Sequence, residues 1–194
     1  YAIAAADEAV RDSGVLSAAD PERLAVYFGT GIGGIGTFST EMRKLLERGP
    51  GRVSPYFVPM MIANMAAGML AIRYKAKGPA LPAVTACASG SNAIGEAVRL
   101  IRHGYADAVI TGGTEASLTP IGIAGFVNMQ ALSTAADPSA ASLPFDRRRN
   151  GFVIAEGAAA LVLEEYEAAK RRGAHIYAEI TGYGSTCDAY HMTA

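Results

Sequence analysis

Cys87 is the residue with most chemistry to offer. The apolar run Ala83-Val84-Thr85-Ala86 leads into it, and Ala88-Ser89-Gly90-Ser91-Asn92-Ala93 follow. This order reads as a strand ending at Ala86 and a helix opening at about Ser89 or Ser91, so the sulfur falls where strand gives way to helix N-terminus. The partial positive charge of a helix start favours thiolate over thiol. The small neighbours would let a substrate carbonyl and backbone N–H groups approach the sulfur, as thioester chemistry requires. The same residues also fit a plain alternative, a small buried filler. Cys187 lies far away and there is no Cys-x-x-Cys unit, so neither a disulfide framework nor a thiolate zinc site is indicated, no metal is expected, and the cysteine usage suits a cytoplasmic protein.

A second candidate is the loop carrying Gly29, Gly31 and Gly34, which satisfies G-x-G-x-x-G after an apolar run. Dinucleotide binding would need a second strand and an acidic ribose contact about 20 residues on. The stretch there, ERGPGRVSP, holds no strand, so a glycine turn is the better reading and no nucleotide cofactor is expected. Arg147-Arg148-Arg149 could form a basic patch, but a three-residue charge run reads first as a solvated face.

The elements that must position Cys87 follow from periodicity. Residues 1–13 carry a helical stripe (Ile3, Ala6, Val10) closed by Gly14, and residues 24–28 form a short β-branched and aromatic strand. A short helix is expected from Thr40 to the residue before Gly49, an irregular segment over the three prolines of residues 50–59, and a helix over residues 60–74. Then comes a strand, helix, strand rhythm over residues 81–86, 91–102 and 107–111, with strands buried on both faces. In that helix Ala93, Ile94, Ala97, Val98 and Ile101 make one apolar stripe. Residues 120–150 are looser, and a strand (157–163), a helix (165–172) and a strand (176–182) complete an α/β pattern with a mixed, mainly parallel sheet.

The 194 residues suit one domain. With 51% hydrophobic and 18% charged residues they are globular rather than disordered. Seventeen basic and 18 acidic side chains leave a net charge of −1, too little field to hold a polyanion, so nucleic acid is not an expected partner. No apolar run approaches the ~20 residues of a membrane span, and the first residues carry Asp7 and Glu8 where a signal peptide would be basic and then apolar. No membrane association is expected. The chain starts without methionine and stops within what reads as a loop, and we expect it to be a piece of a longer protein.

The segment TACASGSNAIGEAVRLIRHGYADAVITGGTEA resembles the active-site segment of the β-ketoacyl-acyl-carrier-protein synthases, the condensing enzymes of fatty acid and polyketide synthesis. YFGTGIGGIGTF, SPYFVPMMIANMAAGML, GFVNMQALST, PFDRRRNGFVIAEGAAALVLEEYEAAKRRGAHIYAEITGYG and CDAYHMT resemble successive blocks, in order, of the type II long-chain branch. The resemblance implies the N-terminal half of a thiolase-like fold, a layered αβα arrangement, over residues 1–194. Residues 183–194 would enter the connection to a C-terminal half beyond this chain.

What it implies for single residues is specific. Cys87 would be the nucleophile that takes an acyl chain from acyl carrier protein, its own N–H being one oxyanion donor. Malonyl carrier protein would then be decarboxylated and its carbanion would attack the thioester, giving a 3-oxoacyl chain two carbons longer. The enolate-stabilising histidines, a lysine and the second oxyanion donor belong to the family's C-terminal half; among the histidines here, His191 matches the family's DAYHMT histidine, which is not one of the catalytic pair. Ile32 would border the acyl pocket and gate it. Phe57 and Phe126 would line the acyl tunnel, Phe57 across the boundary of a homodimer. Met60, Met61 and Met65 would add pliable apolar volume or serve as core filler. Thr193 and Asp188 would stand near the mouth where the phosphopantetheine arm enters, and Arg52 would contact the carrier protein. Asp146 and Arg149 would brace a loop. The chain departs from the family at Gln130, where several relatives carry an arginine, and at Asn150, where aspartate is common.

The expected function is therefore that of a 3-oxoacyl-[acyl-carrier-protein] synthase of fatty acid elongation, a cytoplasmic homodimer that needs no cofactor beyond the phosphopantetheine of its carrier protein. An aromatic polyketide ketosynthase subunit and a thiolase share the cysteine and stay open. A non-catalytic chain-length partner subunit would replace it. The isolated piece is expected to lack condensation activity and to expose apolar surface.

Overall fold

The structure, a computed structural model, describes residues 1–191. Thr193 lies outside the described residues.

Strand β1 (Leu24–Gly29) is the centre of the molecule because its side chains alternate between two apolar layers. Leu24, Val26 and Phe28 point to one layer, where they meet Ala6 and Val10 of α1 (Ala2–Ser13) and Ala67 and Leu70 of α4 (Met65–Tyr74). Ala25 points to the other, with Tyr27 packed alongside, against Ala97 of α5 (Ser89–Arg102). Phe28, Leu24 and Leu70 are fully buried, and truncating one such side chain costs ~2–5 kcal/mol.

The sheet runs β2 (Ala80–Ala83), β1, β3 (Ala108–Glu115), β4 (Gly157–Glu164). β1 is parallel to both neighbours, and β4 is antiparallel to β3. With α1 and α4 on one face and α5 on the other, this is the expected layered α/β arrangement with a mixed, mainly parallel sheet. An Arg172 guanidinium forks onto Glu164 at 2.7 to 3.0 Å and fastens the end of α7 (Tyr166–Arg171) to β4.

Several elements differ from the sequence expectation. Helix α2 (Ile35–Arg48) begins well before Thr40. The expected helix over 60–74 is two pieces, α3 (Phe57–Met61) and α4, interrupted at Ile62, whose ψ is 140°. The interruption leaves the Met61 carbonyl free of helical pairing, and it accepts the Gly34 N–H at 2.9 Å. A Cβ on Gly34 would run into the backbone of Met60 and Met61, so the approach requires glycine there.

β2 is short and its first residues are exposed, because it is an edge strand rather than one buried on both faces. Helix α6 (Pro120–Asn128) occupies part of the segment read as loose. Residues 176–182 form no strand, since the carbonyls of Ile180 and Thr181 are taken by the Arg102 guanidinium at 3.2 and 2.7 Å instead of by a neighbouring strand. Among the described residues, no helix is long and apolar enough to cross a membrane.

Candidate active site

β1 ends at Gly29, opposite Gly113 of β3, which runs two residues further to Glu115. Beyond these ends the loop of residues 30–34, the turn before α5 and the residues after β3 surround a cavity of about 610 Å³. Its lining includes Cys87, Ile32, Phe126, Phe152, Val153 and Glu115.

Cys87 occupies a single 3-10 turn, Ala86–Ala88, whose last residue is the N-cap of α5. It is exposed to the cavity rather than packed as a core filler. The turn has an uncommon backbone: Ala86 is left-handed, with φ 50°, a shape that costs an L-residue ~1–2 kcal/mol. Ser89, only 3% exposed, holds it there. Its Oγ accepts the Thr85 N–H at 2.9 Å, and its hydroxyl donates to the Ala86 carbonyl at 2.6 Å, with the Thr30 carbonyl at 3.3 Å. Asn92 donates from Nδ2 to Thr85 Oγ1 at 2.8 Å and accepts the Tyr183 hydroxyl at 3.0 Å. The elbow is thus braced from inside its own helix.

The Gly-rich loop is fixed from β3. Glu115 Oε2 accepts the N–H groups of Gly31 and Ile32 at 2.8 and 3.1 Å, and Thr30 Oγ1 accepts the Gly33 N–H at 3.2 Å. No nucleotide-type second strand follows the loop; α2 does.

On the far wall Phe126, from α6, meets Phe152 edge to face, ring centroids 5.1 Å apart. Phe152 is pinned through its backbone: its N–H donates to Ala131 and its carbonyl accepts from Ser133. The connector is further tied at Asn150, whose Oδ1 accepts the Ser133 hydroxyl at 2.7 Å.

Cys87, Ile32 and Phe126 are therefore brought together, and other candidates stand apart. Phe57 is not among the cavity-lining residues and packs on Phe38 at 6.4 Å. Arg52 ends the exposed turn Pro50–Arg52. Asp188 is exposed in the stretch after α7 that forms neither helix nor strand. His103, His175 and His191 do not line the cavity. Arg149 reaches the Asp146 main-chain oxygen at 2.8 Å, while the Asp146 carboxylate takes Arg148, whose guanidinium holds that carboxyl below the usual carboxylate range. Among the described residues, no group of three or more His, Cys, Asp or Glu side chains is placed to hold a metal.

Glu115, Ser89 and Phe152 escaped the sequence reading as site residues. The one available signal was Glu115 itself, an acid at the end of an otherwise apolar strand.

The chain thus carries a cysteine at a strained turn before a helix of a layered α/β sheet, open to an apolar cavity. The family model described as "Beta-ketoacyl synthase, N-terminal domain" matches residues 1–169, and the chain belongs to that family. It is 52% identical over 196 residues to a 3-oxoacyl-[acyl-carrier-protein] synthase 2 of Synechocystis and 53% identical over 195 residues to one of Staphylococcus aureus. All of this chain is covered, against 47% and 48% of those proteins, so it spans about half the length of the curated relatives it matches. A β-ketoacyl synthase from Burkholderia phymatum superposes with a TM-score of 0.90 at 38% identity, over 100% of this chain and 48% of that one. A type II PKS ketosynthase, bound to a hexaketide and in complex with its acyl-carrier protein, superposes with a TM-score of 0.89 at 36% identity, over 98% of this chain and 49% of that one.

Proposed function

We propose that the complete protein is a 3-oxoacyl-[acyl-carrier-protein] synthase of fatty acid elongation. The observation that carries this reading is the placement of Cys87 at the elbow, exposed to an apolar cavity large enough for an alkyl chain. The Cys87 sulfur attacks the acyl thioester carbonyl, and the tetrahedral intermediate collapses to expel the phosphopantetheine thiol of the carrier. The N–H of Cys87 is one donor to the transient oxyanion. Malonyl carrier protein then loses carbon dioxide. The electron pair of the broken bond forms an enolate that attacks the Cys87 thioester, releasing the 3-oxoacyl product on its carrier and returning the thiolate. By the family resemblance, the groups that stabilise the enolate and the second oxyanion donor belong to the C-terminal half of the enzyme, and this chain carries the acyl-accepting cysteine.

The partners follow from the same reading. Acyl carrier protein delivers both substrates, with Arg52 as a contact and Asp188 and Thr193 near the entry of its arm; no cofactor besides that arm is needed, and the setting is cytoplasmic. β2 pairs on one side only among the described residues, which suits a homodimer joined at that edge, with Phe57 reaching the neighbouring tunnel. Residues 183–194 lead into the second half of the fold. The second reading, a polyketide ketosynthase subunit, is favoured by the hexaketide-bound neighbour, since both reactions use the same cysteine. A thiolase also keeps the cysteine, whereas a chain-length partner lacking it does not fit Cys87.

The test uses the full-length enzyme, incubated with labelled acyl carrier protein, digested and mapped by mass spectrometry. Label is expected on the Cys87 peptide alone. Undiminished loading of Cys87→Ala would return the cysteine to a packing role and remove this reading.

A further inference from the structure

We infer that Glu115 is a positioning residue for acyl-chain selection: its carboxylate latches the loop that carries Ile32 and sets how far Ile32 intrudes into the cavity it shares with Cys87. This rests on the function proposed above and adds to it a determinant of chain length.

The latch is built from one strand end and four consecutive loop residues. Oε2 accepts two successive backbone N–H groups, from Gly31 and Ile32, a pairing that suits an anion. Oε1 lies 3.4 Å from the hydroxyl of Thr30, which is 5% exposed and whose Oγ1 in turn receives the Gly33 N–H. Glu115 has no cationic partner among the described residues, so these loop groups are what its charge faces. Placing a carboxylate against an apolar cavity is costly unless such donors meet it. Its location is therefore explained by the loop donors that meet it.

The loop is anchored on either side of Ile32, by the Thr30 N–H on the Ala83 carbonyl at 3.1 Å and the Gly34 N–H on the Met61 carbonyl at 2.9 Å, and Glu115 holds the stretch between them. Ile32 lies between Gly31 and Gly33, which allow the backbone wide freedom, and Ile32 itself is 42% exposed where it lines the cavity. A branched side chain on such a segment can swing, and among the described residues the side-chain bond to its backbone N–H comes from Glu115. Loss of that bond frees Ile32 to withdraw, which enlarges the space in front of Cys87 and favours longer chains.

The experiment measures kcat/KM of the full-length enzyme over a series of acyl carrier substrates from short to long, together with intact-mass acylation of Cys87 and melting temperature. Glu115→Ala is expected to raise the long-to-short ratio of kcat/KM by about five-fold or more, the effect of charge-assisted hydrogen bonds lost at one wall of the pocket. Glu115→Gln keeps an acceptor oxygen and is expected to recover part of the wild-type ratio. In an Ile32→Ala background the Glu115→Ala change should add nothing further. Where Glu115→Ala does not accumulate, Glu115→Asp, one methylene short of the loop, takes its place with the same expectation. An unchanged ratio, or an equal loss at every chain length, overturns the latch while Cys87 loading stands. Absence of Cys87 loading in the wild-type enzyme overturns the functional reading instead.

Discussion

The last residue of β1, Gly29, lies directly against the backbone of Ser89, the first residue of α5, so closely that a Cβ on Gly29 would collide with the Ser89 carbonyl. The helix that follows Cys87 is seated on the sheet through this contact. The height of the sulfur above the strand ends therefore depends on the absence of one methyl group.

Gly29→Ala should push the first turn of α5 outward. Neither partner is a flexible side-chain tip, so the strain falls on backbone and is expected to cost about 1–3 kcal/mol. Chemical denaturation of the full-length enzyme measures the loss, and acyl loading should slow along with it. Unchanged stability would mean that α5 does not sit where the structure puts it.

Phe126→Ala should leave the fold intact while weakening acyl binding. Phe126 is half-buried and its edge-to-face partner Phe152 is exposed at the cavity, so the pair contributes only ~1 kcal/mol to stability. The aromatic wall it removes would otherwise contact the alkyl chain. KM for long acyl carriers should rise by about ten-fold with kcat less affected, a pattern that steady-state kinetics over several chain lengths would reveal.

The clamp between α1 and α4 should give the enzyme a defined pH response. Asp7 takes a bidentate fork from Arg73 at 2.7 Å on both oxygens, and the Tyr74 hydroxyl at 2.7 Å. These bonds, Arg73 first, hold the Asp7 carboxyl below its usual range. A depressed carboxyl contributes stability that is present above its unfolded value near 4 and is lost as pH falls through the folded value. The difference in melting temperature between wild type and Asp7→Asn should thus be constant at neutral pH and vanish in acid. Tyr74 responds at the other end: burial, then its bond to Asp7, pushes it up to about 12. Its contribution is present below pH ~10 and fades as pH rises toward that value. A gap that widens in acid would contradict this assignment.

Legibility in the sequence tracked how local each cause was. β1, β4 and α1 could be read because alternation, β-branching and the Gly14 cap act within a few residues, and Gly14 does adopt φ 60° at the end of α1. The position of Cys87 between strand and helix was legible for the same reason, although β2 ends at Ala83 rather than at Ala86 and a 3-10 turn over Ala86–Ala88 leads into α5. Helix α6 was hidden because its residues are apolar all round and show no period, although Thr119 and Pro120 carried a start signal: the Thr119 hydroxyl accepts the Gly122 N–H. The break between α3 and α4 is matched by the Gly34 N–H on the Met61 carbonyl, and Glu115 finds the Gly-rich loop across 84 residues of sequence, so neither partner could be read locally. Residues 176–182 have strand-like alternation, but Arg102 claims their carbonyls, a tertiary contact that overrides propensity.

Ala86→Gly separates the stability of the elbow from its function. Ala86 holds φ 50°, which costs an L-residue about 1–2 kcal/mol, while a glycine there would restore about 0.4–1 kcal/mol of freedom to the unfolded chain. The two nearly cancel, with a small net gain for the variant, so its melting temperature should equal or slightly exceed that of wild type. The elbow, however, would no longer be confined by its own sterics, and hydrogen bonds, among them those of Ser89 and Asn92 and the Ala88 N–H on the Thr85 carbonyl, would be left to keep Cys87 aimed at the cavity. Positioning of a nucleophile is worth large factors in rate, so the acylation rate should fall several-fold with stability preserved. Stopped-flow or quenched-flow acylation alongside thermal melts distinguishes the outcomes. A marked loss of stability would mean that the left-handed turn at Ala86 is not strained, and an unchanged acylation rate would mean that it does not orient the sulfur.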